Sequence, residues 1–295
     1  MNTRLIDDIA SAVLYEGYLL YPYRASAIKN RQRWNFGVLY PREYAERQSG
    51  ADTWKMQTEC LAAAASTATL EVRVRFLHLI GQGAMERQLD LPAVGLSSLI
   101  ARPVCQTFAF SPEENQQPLQ AKVELQAWES APGVFKIRVS IFNAGGYASS
   151  TREEALAHSL VSTHTILSLQ GGEFASLLDP PADLRDLAAN CENIGAWPVL
   201  AGDPGQRDAM LSSPIILYDY PQIAPESPGA LFDGTEIDEI LSLRILTLTD
   251  SEKAEMAQGD ERARLILERT ECMPPEQFMK MHGVLRLAGA SRERT

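Results

Sequence analysis

Residues 121–128, AKVELQAW, and 134–142, VFKIRVSIF, decide the reading of the fold. Both alternate apolar and polar side chains, the period of a strand whose successive residues point to opposite faces. Ser130-Ala-Pro-Gly133 lies between them, so the pair reads as an antiparallel hairpin with a short glycine-containing loop. Lys122, Glu124 and Gln126 share one face, and Lys136, Arg138 and Ser140 do the same on the partner. One side of the sheet is therefore expected to be wet and the other to cover a core.

Working outward, residues 70–80 (LEVRVRFLHLI) alternate in the same way. Leu70, Val72, Val74 and Phe76 face one side, and Glu71, Arg73 and Arg75 a second wet side. Residues 4–20 carry Ile6, Ile9, Val13 and Leu14 at helical spacing, and Pro22 stops that helix. Residues 111–118 are a polar loop. Ser150-Thr-Arg-Glu153 and Thr151-Arg-Glu-Glu154 are overlapping capping boxes that open a short helix, and Ser162–Leu169 then turns β-like. A strand is expected at Ile215–Tyr218, inside a proline-punctuated stretch. Ile237, Ile240, Leu241, Ile245 and Leu248 form a helical stripe, and Thr249-Asp-Ser-Glu252 caps another helix. The expected fold class is α+β: an antiparallel sheet with flanking helices, followed by a C-terminal helical segment. The expected division is an α+β body over residues 1–230 and a helical tail over 231–295.

Composition narrows the function classes. The chain has 295 residues, 45% hydrophobic and 22% charged, with a net charge of −11. That apolar share is too high for a disordered chain. No apolar run approaches the ~18–20 residues of a membrane helix. A negative field repels phosphates and disfavours general nucleic-acid binding. Asp7 and Asp8 interrupt any signal-peptide pattern, and Cys60, Cys105, Cys191 and Cys272 form no CxxC pair. Free thiols in a cytoplasmic protein are the expectation.

Motifs with a mechanism fail on inspection. Gly81-Gln-Gly83-Ala-Met-Glu86 follows a strand, but Glu86 replaces the third glycine and Pro92 follows, so no helix N-terminus awaits a pyrophosphate. Leu231-Phe-Asp-Gly-Thr235 resembles a phosphatase nucleophile loop with leucine where the aspartyl nucleophile belongs. Glu153, Glu154, His158 and His164 could assemble a carboxylate–histidine metal site, although no HExxH or HxH spacing supports one. Cys272, Met273, Met279, Met281 and His282 group soft donors, a pattern shared by packing and adaptable partner surfaces. No cofactor is expected.

Charge is unevenly laid out. Six of nine tyrosines fall between Tyr15 and Tyr44, and residues 24–47 carry six bases against two acids, a net of +4. Tyr21, Tyr23, Arg24, Lys29, Arg31, Arg33 and Trp34 are the candidates there for binding a partner or an anion. Pairing with the protein's own carboxylates stays open beside those two readings. Residues 171–240 hold thirteen acids and two bases, so their net equals that of the whole chain. An irregular acidic surface suits docking to a basic partner; solvated loops are the alternative.

Two blocks carry a resemblance: Glu16–Arg24 with Asn35–Pro41, and Leu231–Ile240 with Leu243–Asp250. They resemble a bacterial protein family of unknown function associated with uptake [NiFe]-hydrogenase gene clusters. The resemblance implies a cytoplasmic accessory or assembly role and transfers no catalytic residue. The expected function is thus a non-catalytic accessory protein that supports assembly or maturation of a metalloenzyme. Its expected partner is a protein, a hydrogenase subunit or maturation factor, with no membrane partner. The alternatives are a metal-binding protein or hydrolase built on the Glu/His cluster, and a nucleotide- or anion-binding protein built on the Arg/Tyr window.

Overall fold

The computed structural model describes residues 3–15, residues 36–222 except 49, 51, 82 and 112–117, and scattered positions between 249 and 274. The chain divides into two compact units, residues 1–18 with 33–222 and residues 19–32 with 223–295. Every described element belongs to the first. Among the second unit's described residues, Leu267 and Thr270 are buried, and Lys253 pairs with Glu271 at 2.8 Å.

The chain begins with α1 (Thr3–Tyr15) and α2 (Arg42–Arg47). Then follow β1 (Lys55–Ile80), β2 (Gly83–Gly95), α3 (Leu96–Ala101), β3 (Val104–Phe110), β4 (Leu119–Ala131) and β5 (Val134–Asn143). The last are α4 (Arg152–Ala157), β6 (Val161–Phe174), α5 (Arg185–Ala189), β7 (Trp197–Leu200) and β8 (Ala209–Ser213). The eight strands form one antiparallel sheet in the order β3-β4-β5-β1-β6-β8-β7, and β2 also pairs with β1. Gly81, at φ +60°, turns β1 into β2, so the Gly81–Glu86 segment is a hairpin.

β1 organises the sheet. Its first half, Lys55–Ala63, pairs with β5, and its second half, Thr69–Ile80, pairs with β2. Val74 lies opposite Thr165 of β6, which lies opposite Ser212 of β8. Thr58 comes sixteen residues before Val74, roughly 50 Å along a straight strand. Yet the Thr58 and Ser212 hydroxyls are 2.6 Å apart. The strand therefore turns a corner, and the two halves of the sheet face each other across the core. Small residues, Ala63-Ala-Ala-Ser-Thr67, all but Ala64 exposed, occupy the bend, and the β1–β6 register breaks between Ala64 and Thr69. β6 turns there through Gly171, at φ +82°, and Gly172, where a Cβ would come within 2.9 Å of the Ala63 carbonyl. Phe76, Val123, Ile137 and Leu167 are among the buried residues of the core between the halves. Ile6, Ile9, Ala10 and Val13 of α1 cover the outer face of β6, β7 and β8 against Ile166, Val199 and Leu211.

This architecture corrects the expected α+β class. The molecule is mostly antiparallel sheet, and α2 to α5 span five or six residues each. The helical stripe expected over Ile237–Leu248 lies outside the described residues, and of the expected tail only scattered helical residues, among them 253–254, 267–268 and 270–271, are described. The β-like run expected at Ser162–Leu169 lies within β6, which is buried on both faces over Val161–Leu167. The first half of β1 is alanine-rich where it bends. The wet face expected on residues 70–80 is also corrected. Arg75 is 8% exposed beneath α1, where it donates to the Asp7 carbonyl and the Ser11 hydroxyl.

Candidate docking surface

The segment that follows β8 is not the strand expected at Ile215–Tyr218, but its burial alternates. Ile215 and Leu217 turn in against the α1 cluster, while Ile216 and Tyr218 are 70% and 85% exposed. Trp197, which opens β7, and Leu178 are also exposed. A hydrogen-bond node ties these segments together. The Ser176 hydroxyl donates to Asp219 Oδ2 at 2.5 Å and accepts from the backbone N–H groups of Leu178 and Asp179. Asp219 Oδ1 accepts from Leu200 N at 2.8 Å, and Tyr220 N donates to the Leu200 carbonyl at 2.7 Å. One buried seryl hydroxyl and one aspartate thus fix Leu178, Tyr218 and the end of β7 relative to one another.

β7 is the sheet's edge, and that edge is closed to strand addition. Val199 and Ala201 bond toward β8, which leaves Pro198 and Leu200 facing outward. Pro198 has no N–H, and both backbone groups of Leu200 are taken by Asp219 and Tyr220. A partner arriving here meets side chains. The stretch of chain that carries them is acidic: described residues 171–222 hold Glu173, Asp179, Asp183, Asp186, Glu192, Asp203, Asp208 and Asp219 against Arg185 and Arg207.

The segment before β7 is anchored through Glu59 of β1, which is fully buried. Its Oε2 accepts from Glu192 N at 2.7 Å and pairs with Lys136 at 2.6 Å, while Oε1 pairs with Arg138 at 2.5 Å. Burial pushes its pKa up, but the Glu192 N–H, Lys136 and Arg138 outweigh it and hold the carboxyl below the ordinary glutamate range. Gln57 and Ile194 exchange backbone hydrogen bonds beside it. Lys136 and Arg138, expected on a wet face, are half-covered by the segment they hold.

The residues singled out from the sequence are placed as follows. Tyr21, Tyr23, Arg24, Lys29, Arg31, Arg33 and Trp34 lie outside the described residues. The described end of that window turns inward. Tyr40 and Tyr44 are buried with ring centroids 5.1 Å apart, Arg42 stacks 4.5 Å over Trp54, and Arg47 donates to the Glu43 and Ser149 carbonyls. Glu153, Glu154, His158 and His164 are not brought together. Thr151 and Glu154 form a reciprocal capping box, and Glu154 Oε2 also accepts from Ser150. His158 stacks on Tyr147 at 3.6 Å. His164 is fully buried with Nδ1 2.6 Å from the Ser162 carbonyl, and burial pushes its pKa down to about 4. Among the described residues no group of three or more His, Cys, Asp or Glu side chains could hold a metal ion. No described helix is long and apolar enough to cross a membrane. The cysteines are free, with Cys60 buried and Cys105 and Cys272 exposed.

Sequence reasoning located the acidic stretch and missed its apolar centre. The signal was present in Ile215–Tyr218, where alternation puts Ile216 and Tyr218 on the outward face. The node was not readable, because Ser176 and Asp219 are 43 residues apart. No protein-family model matches the chain, and no curated protein matches it.

Proposed function

We propose that this chain is a non-catalytic accessory protein that docks to another protein and supports assembly or maturation of a metalloenzyme. The observation that carries the reading is the exposure of Leu178, Trp197, Ile216 and Tyr218, carried by β7 and by segments that the Ser176–Asp219 node joins to it, in an acidic stretch of the chain. Large apolar and aromatic side chains held rigidly in water are costly and mark interaction sites. Aromatics supply most hot-spot energy, and a ring of one charge sign steers a partner of the other. The partner's face is accordingly basic at its rim and apolar at its centre.

The resemblance of the 16–24, 35–41, 231–240 and 243–250 blocks directs this reading to a cytoplasmic role beside a [NiFe]-hydrogenase. The partner is then a hydrogenase subunit or maturation factor. Affinity capture from native cells under hydrogenase-inducing conditions tests it. Recovery of a hydrogenase component supports the proposal, and a capture with no such component contradicts it.

A further inference from the structure

The far end of the β1–β2 ribbon gathers three basic side chains. His78 of β1 stands opposite Met85 of β2, and Phe76 opposite Arg87. His78 and Arg87 are therefore diagonal neighbours on the face that carries Phe76, close enough for long side chains to meet. His78 is 2% exposed, its ring bonds the Ala157 backbone, and its Nδ1 has no partner among the described residues. Arg87 lays its guanidinium 5.4 Å from the centre of the Phe110 ring, and its buried Nε likewise has no partner among the described residues. His158 follows Ala157 directly and acts on the charge of His78. Glu86, next to Arg87 in sequence, pairs with Arg75 at 3.2 Å.

The chemistry of these groups is incomplete as it stands. A desolvated N–H on a permanent cation is costly unless something accepts from it. With Nδ1 unpartnered, Nε2 is the nitrogen that donates to the Ala157 carbonyl. Neutral His78 then offers Nδ1 as an acceptor, and protonated His78 offers it as a donor. A negatively charged oxygen group satisfies both: it accepts from Arg87 and favours the proton on His78.

We propose that this end of the sheet is an oxyanion site, where a sulfate- or phosphate-sized group accepts hydrogen bonds from Arg87 and protonated His78, with His158 at the rim. Without the anion, burial and then the neighbouring Arg87 and His158 charges push His78 down to about 4. Binding at neutral pH therefore takes up a proton, and affinity rises as pH falls. The groups facing His78 are Arg87 from β2, Ala157 and His158 at the end of α4, and the uncharged Phe110 ring beside Arg87 on β3. Glu113 and Glu114 follow β3 in sequence, outside the described residues.

Sulfate is the probe, because its charge stays constant from about pH 6 to about pH 8 and any pH dependence then belongs to the protein. Titration calorimetry on the full chain, against chloride at equal ionic strength, is expected to show saturable sulfate binding. The heat should vary with buffer ionisation, as proton uptake requires. Arg87→Gln should weaken binding about tenfold or more, the scale of one charged hydrogen bond. His78→Asn should abolish the proton uptake. Sulfate indistinguishable from chloride, or equal affinity in Arg87→Gln, would overturn the proposal. Should a variant fold poorly, nitrogen-15 spectra of wild-type His78 decide: a proton gained on adding sulfate supports the site, and an unchanged tautomer refutes it.

Discussion

Glu59→Gln removes the charge beneath the docking surface and leaves its shape. Glu59 is fully buried, and its oxygens serve Glu192 N, Lys136 and Arg138 at 2.5 to 2.7 Å. A glutamine amide presents one acceptor and one donor, so at least one of these donors faces another donor. Breaking a buried pair from one side costs ~3–5 kcal/mol when the surviving charge stays dry. Here the survivors are not dry, since Lys136 and Arg138 keep side-chain exposures of 22% and 34%. The expected loss is therefore lower, about 2–4 kcal/mol. For a unit of this size that lowers Tm by roughly 5–15 °C. Urea unfolding followed by circular dichroism measures it, and amide exchange should show the 190–194 backbone opening first. The pH dependence has a fixed sign. The Glu59 pKa is depressed in the fold, so its contribution is present above the unfolded pKa and is lost as pH falls through the folded one. The gap between wild type and Glu59→Gln should be constant near neutrality and shrink below about pH 4. A variant within about 0.5 kcal/mol of wild type at neutral pH would refute this account of the anchor.

Gly172→Val drives a branched side chain into the corner where a Cβ already meets the Ala63 carbonyl at 2.9 Å; a loss of about 2 kcal/mol or more is expected in the same unfolding assay. Thr151→Ala deletes the hydroxyl that accepts from Glu154 N at 3.2 Å, and should cost about 1 kcal/mol with the sheet's circular dichroism unchanged. His164 is neutral in the fold, with its pKa pushed down to about 4, while the unfolded imidazole titrates near its ordinary value. The unfolded chain thus binds more protons across that window, and stability falls as pH drops through it. A plot of unfolding free energy against pH should be less steep in His164→Leu, and equal slopes would show that His164 is not the group responsible.

How much of this was readable depends on what each strand faces. Val123, Leu125 and Ile137 are buried between half-exposed neighbours, so the β4–β5 hairpin announced itself by alternation. β6 was legible as the β-like run Ser162–Leu169, but the burial of Thr163, His164 and Thr165 on both sides of it was not, because polar residues give no sign of an inward face. Arg73 and Arg75 misled in the opposite direction. Charge in alternation reads as a solvated face, but Asp7 and Ser11 of α1 receive these arginines. The capping box at Thr151 was legible because both partners lie within one turn. The Ser176–Asp219 node and the Glu59 anchor were not, because their partners come together only through the register of a sheet that folds on itself.

The claim that Leu178, Trp197, Ile216 and Tyr218 form a docking face is tested most directly by site-specific photocrosslinking in native cells. A photoreactive phenylalanine analogue at Tyr218 is compared with one at Met85, which is 45% exposed on β2. A discrete adduct with a hydrogenase component is expected from position 218, and none from position 85. Adducts of equal yield at both positions, or no hydrogenase component at position 218, would contradict it.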